Sequence, residues 1–130
     1  MKKLFVAVAI TLLSSTSFAG TIDGGVAGNR AAVTAASDCT LLSEDVSLTV
    51  SKNVQLGYHC LASTNVIAVA GCHTNGLKAA DGTSNTYYIA STKGGAAKTV
   101  SDAPCVLATT ATKAATEAGV TVEEEEEETP

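Results

Sequence analysis

The chain contains no tryptophan, and its 130 residues include only two phenylalanines, three tyrosines, one methionine and two prolines. Met1, Phe5 and Phe18 all fall before Gly20, so from there onward the bulky apolar side chains are Val, Leu and Ile with Tyr58, Tyr87 and Tyr88. Aliphatic side chains bury less surface than aromatic rings. A small domain with so thin a core is marginal unless some other constraint adds stability. There is no C-x-x-C, no G-x-S-x-G and no phosphate-loop spacing. Their absence removes thioredoxin-type exchange, a hydrolase nucleophile elbow and nucleotide binding of the P-loop kind. No cofactor is implied. Basic residues are also scarce: beyond Gly20 there are Arg30, Lys52, Lys78, Lys93, Lys98 and Lys113 against thirteen acids. Phosphate backbones need a basic face, so nucleic acid is excluded as a partner.

What is present begins with a delivery signal. Lys2-Lys3 give a basic start, Leu4–Leu13 an apolar run broken only by Thr11, and Ser14–Ala19 a small-residue exit with Ser17 and Ala19 flanking Phe18. This is a Sec-type signal peptide over residues 1–19, with cleavage expected after Ala19. The run is too short for a mature membrane helix, so no membrane span is expected after the signal is removed. A periplasmic or secreted destination follows.

Four cysteines, Cys39, Cys60, Cys72 and Cys105, lie beyond the cleavage point. An even count in an exported chain points to two disulfides, each adding about 2–4 kcal/mol mainly by restricting the unfolded chain.

Residues 20–36 are rich in Gly and Ala and read as a flexible lead-in. From Asp45 the apolar period becomes two. Val46, Leu48 and Val50, then Val54, Leu56, Tyr58 and Cys60, alternate with polar or small residues. Parity favours a three-residue loop Ser51-Lys52-Asn53, which sets Val50 opposite Val54 and Leu48 opposite Leu56; Asn53 tolerates the left-handed position such a loop ends on. Val66–Cys72 is apolar on both faces and reads as the central strand. Asn75-Gly76 and Asp81-Gly82 signal turns, the first a hairpin. Thr86–Thr92 and Ala97–Asp102 read as strands joined at Lys93–Ala96, with Ile89 facing Val100, and Cys105–Thr112 as the last strand after Pro104.

The fold class expected is mainly β: a small antiparallel sheet or sandwich of about five to seven short strands over residues 37–112, with two disulfides and disordered termini. Residues 113–130 form a C-terminal tail carrying the run Glu123–Glu128, whose like charges repel and stay solvated. If Val54–Cys60 and Val66–Cys72 are antiparallel neighbours, Cys60 and Cys72 lie about 20 Å apart, beyond disulfide reach. The preferred pairing is Cys39–Cys60 with Cys72–Cys105.

Both histidines sit beside cysteines, as His59-Cys60 and Cys72-His73. Two thiolates and two imidazoles would suit zinc or copper(I). The spacing matches no finger template, however, and adjacent strand residues point to opposite faces. No metal ligand and no catalytic residue is assigned, and the chain is not expected to be an enzyme. Glu44-Asp45 reads as a polar strand start. Tyr87-Tyr88 places one ring on each sheet face, one in the core and one exposed. The expectation is an exported, non-catalytic binding or structural module with a protein or surface partner; the alternative is a metal-binding periplasmic protein.

A second alternative rests on likeness. GTIDGG at Gly20–Gly25, an early cysteine and a strand containing VQLG make residues 20–60 similar in outline to chaperone–usher fimbrial subunits. That resemblance implies a fimbrial-type surface subunit. Such subunits close on an alternating apolar strand with a near-terminal tyrosine, where this chain ends in glutamates.

If disulfides hold this aromatic-poor core, a reductant lowers the melting temperature of the purified protein, and no thiol titrates before reduction. Four reactive thiols in the native protein, or a melt indifferent to reductant, would refute the reading.

Overall fold

The computed structural model describes residues 17–120. Residues 1–16 of the expected signal peptide and the Glu123–Glu128 run lie outside the described residues. Seven strands and one helix follow in order: β1 Ser17–Asp23, β2 Arg30–Val33, β3 Val46–Thr49, β4 Val54–Leu61, β5 Val66–His73, β6 Asn85–Ser91, β7 Lys98–Ala103 and α1 Leu107–Ala118. Five strands form an antiparallel sheet in the order β1-β4-β5-β6-β7, and β2 pairs with β3 as a separate two-stranded ribbon. The protein is mainly β, with Cys39 joined to Cys60 and Cys72 to Cys105.

Residues 20–36, read from composition as a flexible lead-in, carry most of β1 and all of β2. Ile22 is the reason β1 holds. It is 2% exposed and sits opposite Leu56, in the core cluster around Tyr58 and Cys60. The expected hairpin between Val46–Val50 and Val54–Cys60 does not form. β4 is an eight-residue strand whose two edges are taken by β1 and β5, leaving the four-residue β3 to pair with β2. Asn53 does adopt the left-handed conformation, at φ 65°, but in a turn that carries the chain from the ribbon to the main sheet. There its N–H donates to the Gly24 carbonyl.

Two further registers differ from expectation. Asn75-Gly76 lies in a turn that leads into an excursion over residues 77–84, and Gly76 has no positive φ, so the strands it separates are not joined by a two-residue hairpin. Ile89 pairs with Lys98, not Val100, because the β6–β7 turn is centred one residue earlier than Gly94-Gly95, on Lys93-Gly94; Val100 meets Tyr87 instead.

The largest difference lies after Pro104. Residues 107–118 are helical, so the strand expected over Cys105–Thr112 is absent and the tail expected from 113 begins as structured chain. Alanines dominate this stretch, and Ala has the highest helix propensity. Thr110, Ala114 and Ala118 recur every four residues and are buried, the stripe of a helix lying on a sheet. The threonines, poor helix formers as β-branched residues, turn their hydroxyls back to helix carbonyls: Thr110 to Leu107 at 2.6 Å, Thr112 to Ala108 at 3.2 Å and Thr116 to Thr112 at 2.9 Å. Gly119, at φ 96°, ends the helix in a Schellman turn, with Val120 N–H bonded to Ala115 and Gly119 N–H to Thr116.

The start of α1 has no side-chain cap of its own. Strand β6 supplies the ties. The Tyr87 hydroxyl donates to the Pro104 carbonyl and accepts the Val106 N–H at 3.2 Å, while Asn85 Oδ1 accepts the Cys105 N–H at 3.0 Å. The Cys72–Cys105 disulfide binds the same three-residue hinge to β5. At the far edge, Lys98 pairs with Glu117, and Lys113 with Asp102 at 2.6 Å, joining helix to β7.

Small residues let α1 come close. Gly57 of β4 lies beneath it, and a Cβ there would stand 2.5 Å from the Thr110 carbonyl carbon and 2.6 Å from the Ala111 nitrogen. Both are backbone atoms that cannot step aside. Gly57→Ala should therefore cost about 2–3 kcal/mol of unfolding free energy. Gly71→Ala, whose new methyl would meet the movable Leu56 Cδ1 at 3.3 Å, should cost less than about 1 kcal/mol. Urea unfolding of the two variants checks this, and equal losses would show that the helix does not rest on Gly57.

Candidate functional site

Strand alternation and the observed register sort the sheet into two faces. On the helix side are Gly57, His59 and Leu61 of β4, Val66, Ala68, Ala70 and Cys72 of β5, and Tyr87 and Ile89 of β6. The opposite face carries Val54, Leu56, Tyr58 and Cys60, then Ile67, Val69, Gly71 and His73, then Tyr88 and Ala90. The β2–β3 ribbon and the 34–45 segment cover only part of that second face, packing Leu41, Leu42 and Leu48 against the Tyr58–Cys60 cluster.

Where the ribbon stops, a groove of about 380 Å³ runs over β4, β5 and β6. Gly71 keeps its floor low because no side chain rises there. Leu56 and Val69 form one flank, Tyr88 and Ala90 the other, and His73 closes an end. A second apolar cavity of about 170 Å³ lies between ribbon and sheet beside the Cys39–Cys60 bridge, sharing Val69 with the groove. Tyr88 is 57% exposed while its neighbour Tyr87 has no exposed surface. The strand thus anchors itself with one ring and presents the other.

The residues singled out in the sequence do not converge on one chemistry. All four cysteines are oxidised, with Cα–Cα distances of 5.8 Å and 5.7 Å across the two bridges. His59 lies on the helix side and His73 on the open face; in the β4–β5 ladder they pair with Ala68 and Val54, near opposite ends. Among the described residues, no three His, Cys, Asp or Glu side chains are grouped to hold a metal ion. Glu44-Asp45 is tied into loop structure, with Asp45 Oδ1 accepting the Ala35 N–H at 2.8 Å. His73 Nδ1 accepts the Asn75 N–H at 3.0 Å, which leaves Nε2 as the protonated nitrogen of its neutral form. No helix of the described residues is long and apolar enough to cross a membrane.

The sequence signals did not reveal the groove. Its shape depends on which strands neighbour one another and on where the short ribbon ends, and neither is encoded in a local pattern. Tyr88 was visible through strand alternation; Gly71 at the floor had no signal beyond a glycine inside an apolar run.

No protein-family model matches the chain, and no curated protein and no solved structure matches it either.

His59 stands apart. It is 7% exposed, and neither ring nitrogen has a hydrogen-bond partner among the described residues. Ala19 and Ala68 are its cross-strand neighbours, and the facing stripe of α1 is Thr110, Ala114 and Ala118, so no acid faces it. Burial pushes its imidazole below the ordinary value of 6.5. The unfolded chain then binds the proton more readily than the folded one, so stability falls as pH drops from 6.5 toward the lowered folded value. In the chain that retains residues 17–19, His59→Gln should flatten that part of the stability–pH curve relative to the unsubstituted chain, measured by denaturant unfolding at closely spaced pH values. Parallel curves would mean that the imidazole is solvated and already titrates normally.

Proposed function

We propose that this chain is an exported, non-catalytic binding module, working in the periplasm or outside the cell, whose recognition surface is the open sheet face. The observation that carries the proposal is the apolar groove flanked by exposed Tyr88. Ligand pockets are concave, mostly apolar and carry few polar groups. This groove has two, the Tyr88 hydroxyl and the His73 imidazole, at its margin. An aromatic ring with one exposed face is suited to stacking against another ring or a flat apolar group, while its hydroxyl stays in water. The ligand is accordingly a small molecule with a compact apolar ring and little charge.

Two other features support the reading. Oxidised cysteines persist in oxidising compartments, which agrees with the leader and with an extracytoplasmic site of action. A non-catalytic role is favoured because neither histidine is placed beside a cysteine thiolate, and the His73 Nδ1 lone pair is already engaged by Asn75. A general base needs a free acceptor within reach of a nucleophile.

Anilinonaphthalene sulfonate, whose fused aromatic rings probe apolar grooves while its single sulfonate stays in water, should bind the native protein in the groove. Tyr88→Ala should weaken it about tenfold, corresponding to loss of one ring contact, without lowering the melting temperature. Val26→Ala, which removes a still more exposed apolar side chain elsewhere, should leave the affinity unchanged. Equal binding by wild type and Tyr88→Ala would remove the groove from consideration.

A further inference from the structure

The expected processing point and the observed fold meet in one strand. Cleavage after Ala19 falls inside β1, whose seven residues pair with β4 from Ser17 opposite Leu61 to Asp23 opposite Gln55. β1 is the outermost strand of the sheet. Removing the leader therefore takes away Ser17, Phe18 and Ala19, the partners of Leu61, Cys60 and His59. We propose that processing after Ala19 opens the His59–Leu61 edge of β4 as a pairing site for an extended peptide that carries an aromatic residue.

The uncut chain displays what fits the site. Phe18 packs against the buried cluster of Ile22, Tyr58 and Cys60, with its ring centroid 5.8 Å from that of Tyr58. Its loss leaves an aromatic-sized space beside Tyr58 and the Cys39–Cys60 bridge, in a core that has no other phenylalanine to spare. Ala19 closes the edge flank of His59. With it gone, solvent or a peptide backbone can reach the imidazole, whose two nitrogens find no partner among the described residues. A buried polar group without a partner is costly, and the processed chain relieves that cost.

The remainder of β1 is held independently. Ile22 stays buried, Asp23 Oδ1 accepts from Gln55 Nε2 at 3.0 Å, and the Gly24 carbonyl accepts the Asn53 N–H. Gly20 must be glycine, because the Tyr58 phenol lies where a Cβ would be. Gly20–Asp23 therefore fixes the line along which an incoming strand continues, antiparallel to β4. Unpaired edges of this kind recruit strands, with backbone bonds giving affinity and a side-chain pocket giving specificity. The partner is an extended peptide with an aromatic side chain at the position Phe18 vacates. This inference rests on the cleavage point and the β1–β4 register; it is independent of the groove on the open face.

The test uses the exported, processed protein and the same chain retaining residues 17–19. Intact mass should place the processed N-terminus at Gly20; retention of Phe18 would overturn the proposal. In the processed protein the His59 imidazole, followed by NMR, should titrate like a solvated histidine, and in the longer chain it should not. Added peptide Ser-Thr-Ser-Phe-Ala should saturate the processed protein alone, shift resonances of residues 58–61 and return His59 to its covered behaviour. The same peptide with Phe replaced by Ala should bind at least about tenfold more weakly. Identical His59 titration in both chains, or equal binding of the two peptides, would show that the edge closes on itself.

Discussion

Close approach of backbone to backbone is the constraint on which this structure depends. With no tryptophan and, among the described residues, Phe18 alone as a phenylalanine, the core cannot be filled by large rings reaching across a wide gap. It is filled by bringing elements together. Gly57, Ala68 and Ala70 form the sheet surface under α1, and Thr110, Ala114 and Ala118 form the helix surface above it, each with little or no exposure. Such an interface has high contact density but little apolar area, and apolar area is what stabilises burial at about 25 cal/mol per Å². It needs help at its ends. The Cys72–Cys105 bridge, the Tyr87 hydroxyl and the Asn85 amide provide it at one end, and Gly119 with Val120 at the other.

The two disulfides divide the work between the layers. Cys39–Cys60 ties the 34–45 segment to β4, holding the ribbon side against the sheet; Cys72–Cys105 ties the helix start to β5. They close loops of 21 and 33 residues. In the chain-entropy picture such loops are worth about 3 and about 4 kcal/mol. Those values are comparable to half the stability of an ordinary small domain. The salt bridges across α1 and β7 act differently. Lys98 and Asp102 are well exposed, so their pairs with Glu117 and Lys113 orient the helix more than they stabilise it.

Local pattern was enough to find the main sheet and was silent on its edges. The alternation of Val54–Cys60, the doubly apolar Val66–Cys72 and the aromatic-rich Thr86–Thr92 correspond to β4, β5 and β6 within a residue or two. What failed was pairing. Parity makes Val50 opposite Val54 attractive, yet parity cannot compare a four-residue partner with the longer ladders that β1 and β5 offer. β1 was hidden because its first residues look like a cleavage signal and its next ones like a turn. The helix was hidden for another reason. Cys105–Thr112 is a short run of apolar residues and β-branched threonines after Pro104, which reads as a strand, and only the longer stretch to Ala118 shows the four-residue stripe. Of the candidate site, Tyr88 was legible and the groove around it was not, since the groove is the part of a face that a neighbouring ribbon is too short to cover.

The adjacency of Tyr87 and Tyr88 links stability to the recognition proposed for the open face. Alternation sends the two rings to opposite faces, so the residue that ties down the helix hinge also sets the backbone from which the groove residue projects. Tyr87 is held by the Pro104–Val106 segment through its hydroxyl and lies under the Lys113 ammonium, 5.0 Å from the ring centroid. Its backbone has little freedom to shift, and Tyr88 inherits that restriction. A binding ring whose position is fixed before the ligand arrives loses less entropy on binding than one on a mobile loop. The same clamp that compensates for a thin core therefore fixes the backbone of the open face, and a chain with few large side chains places two of its three tyrosines in adjacent positions, one holding the hinge and one presented for the binding proposed above.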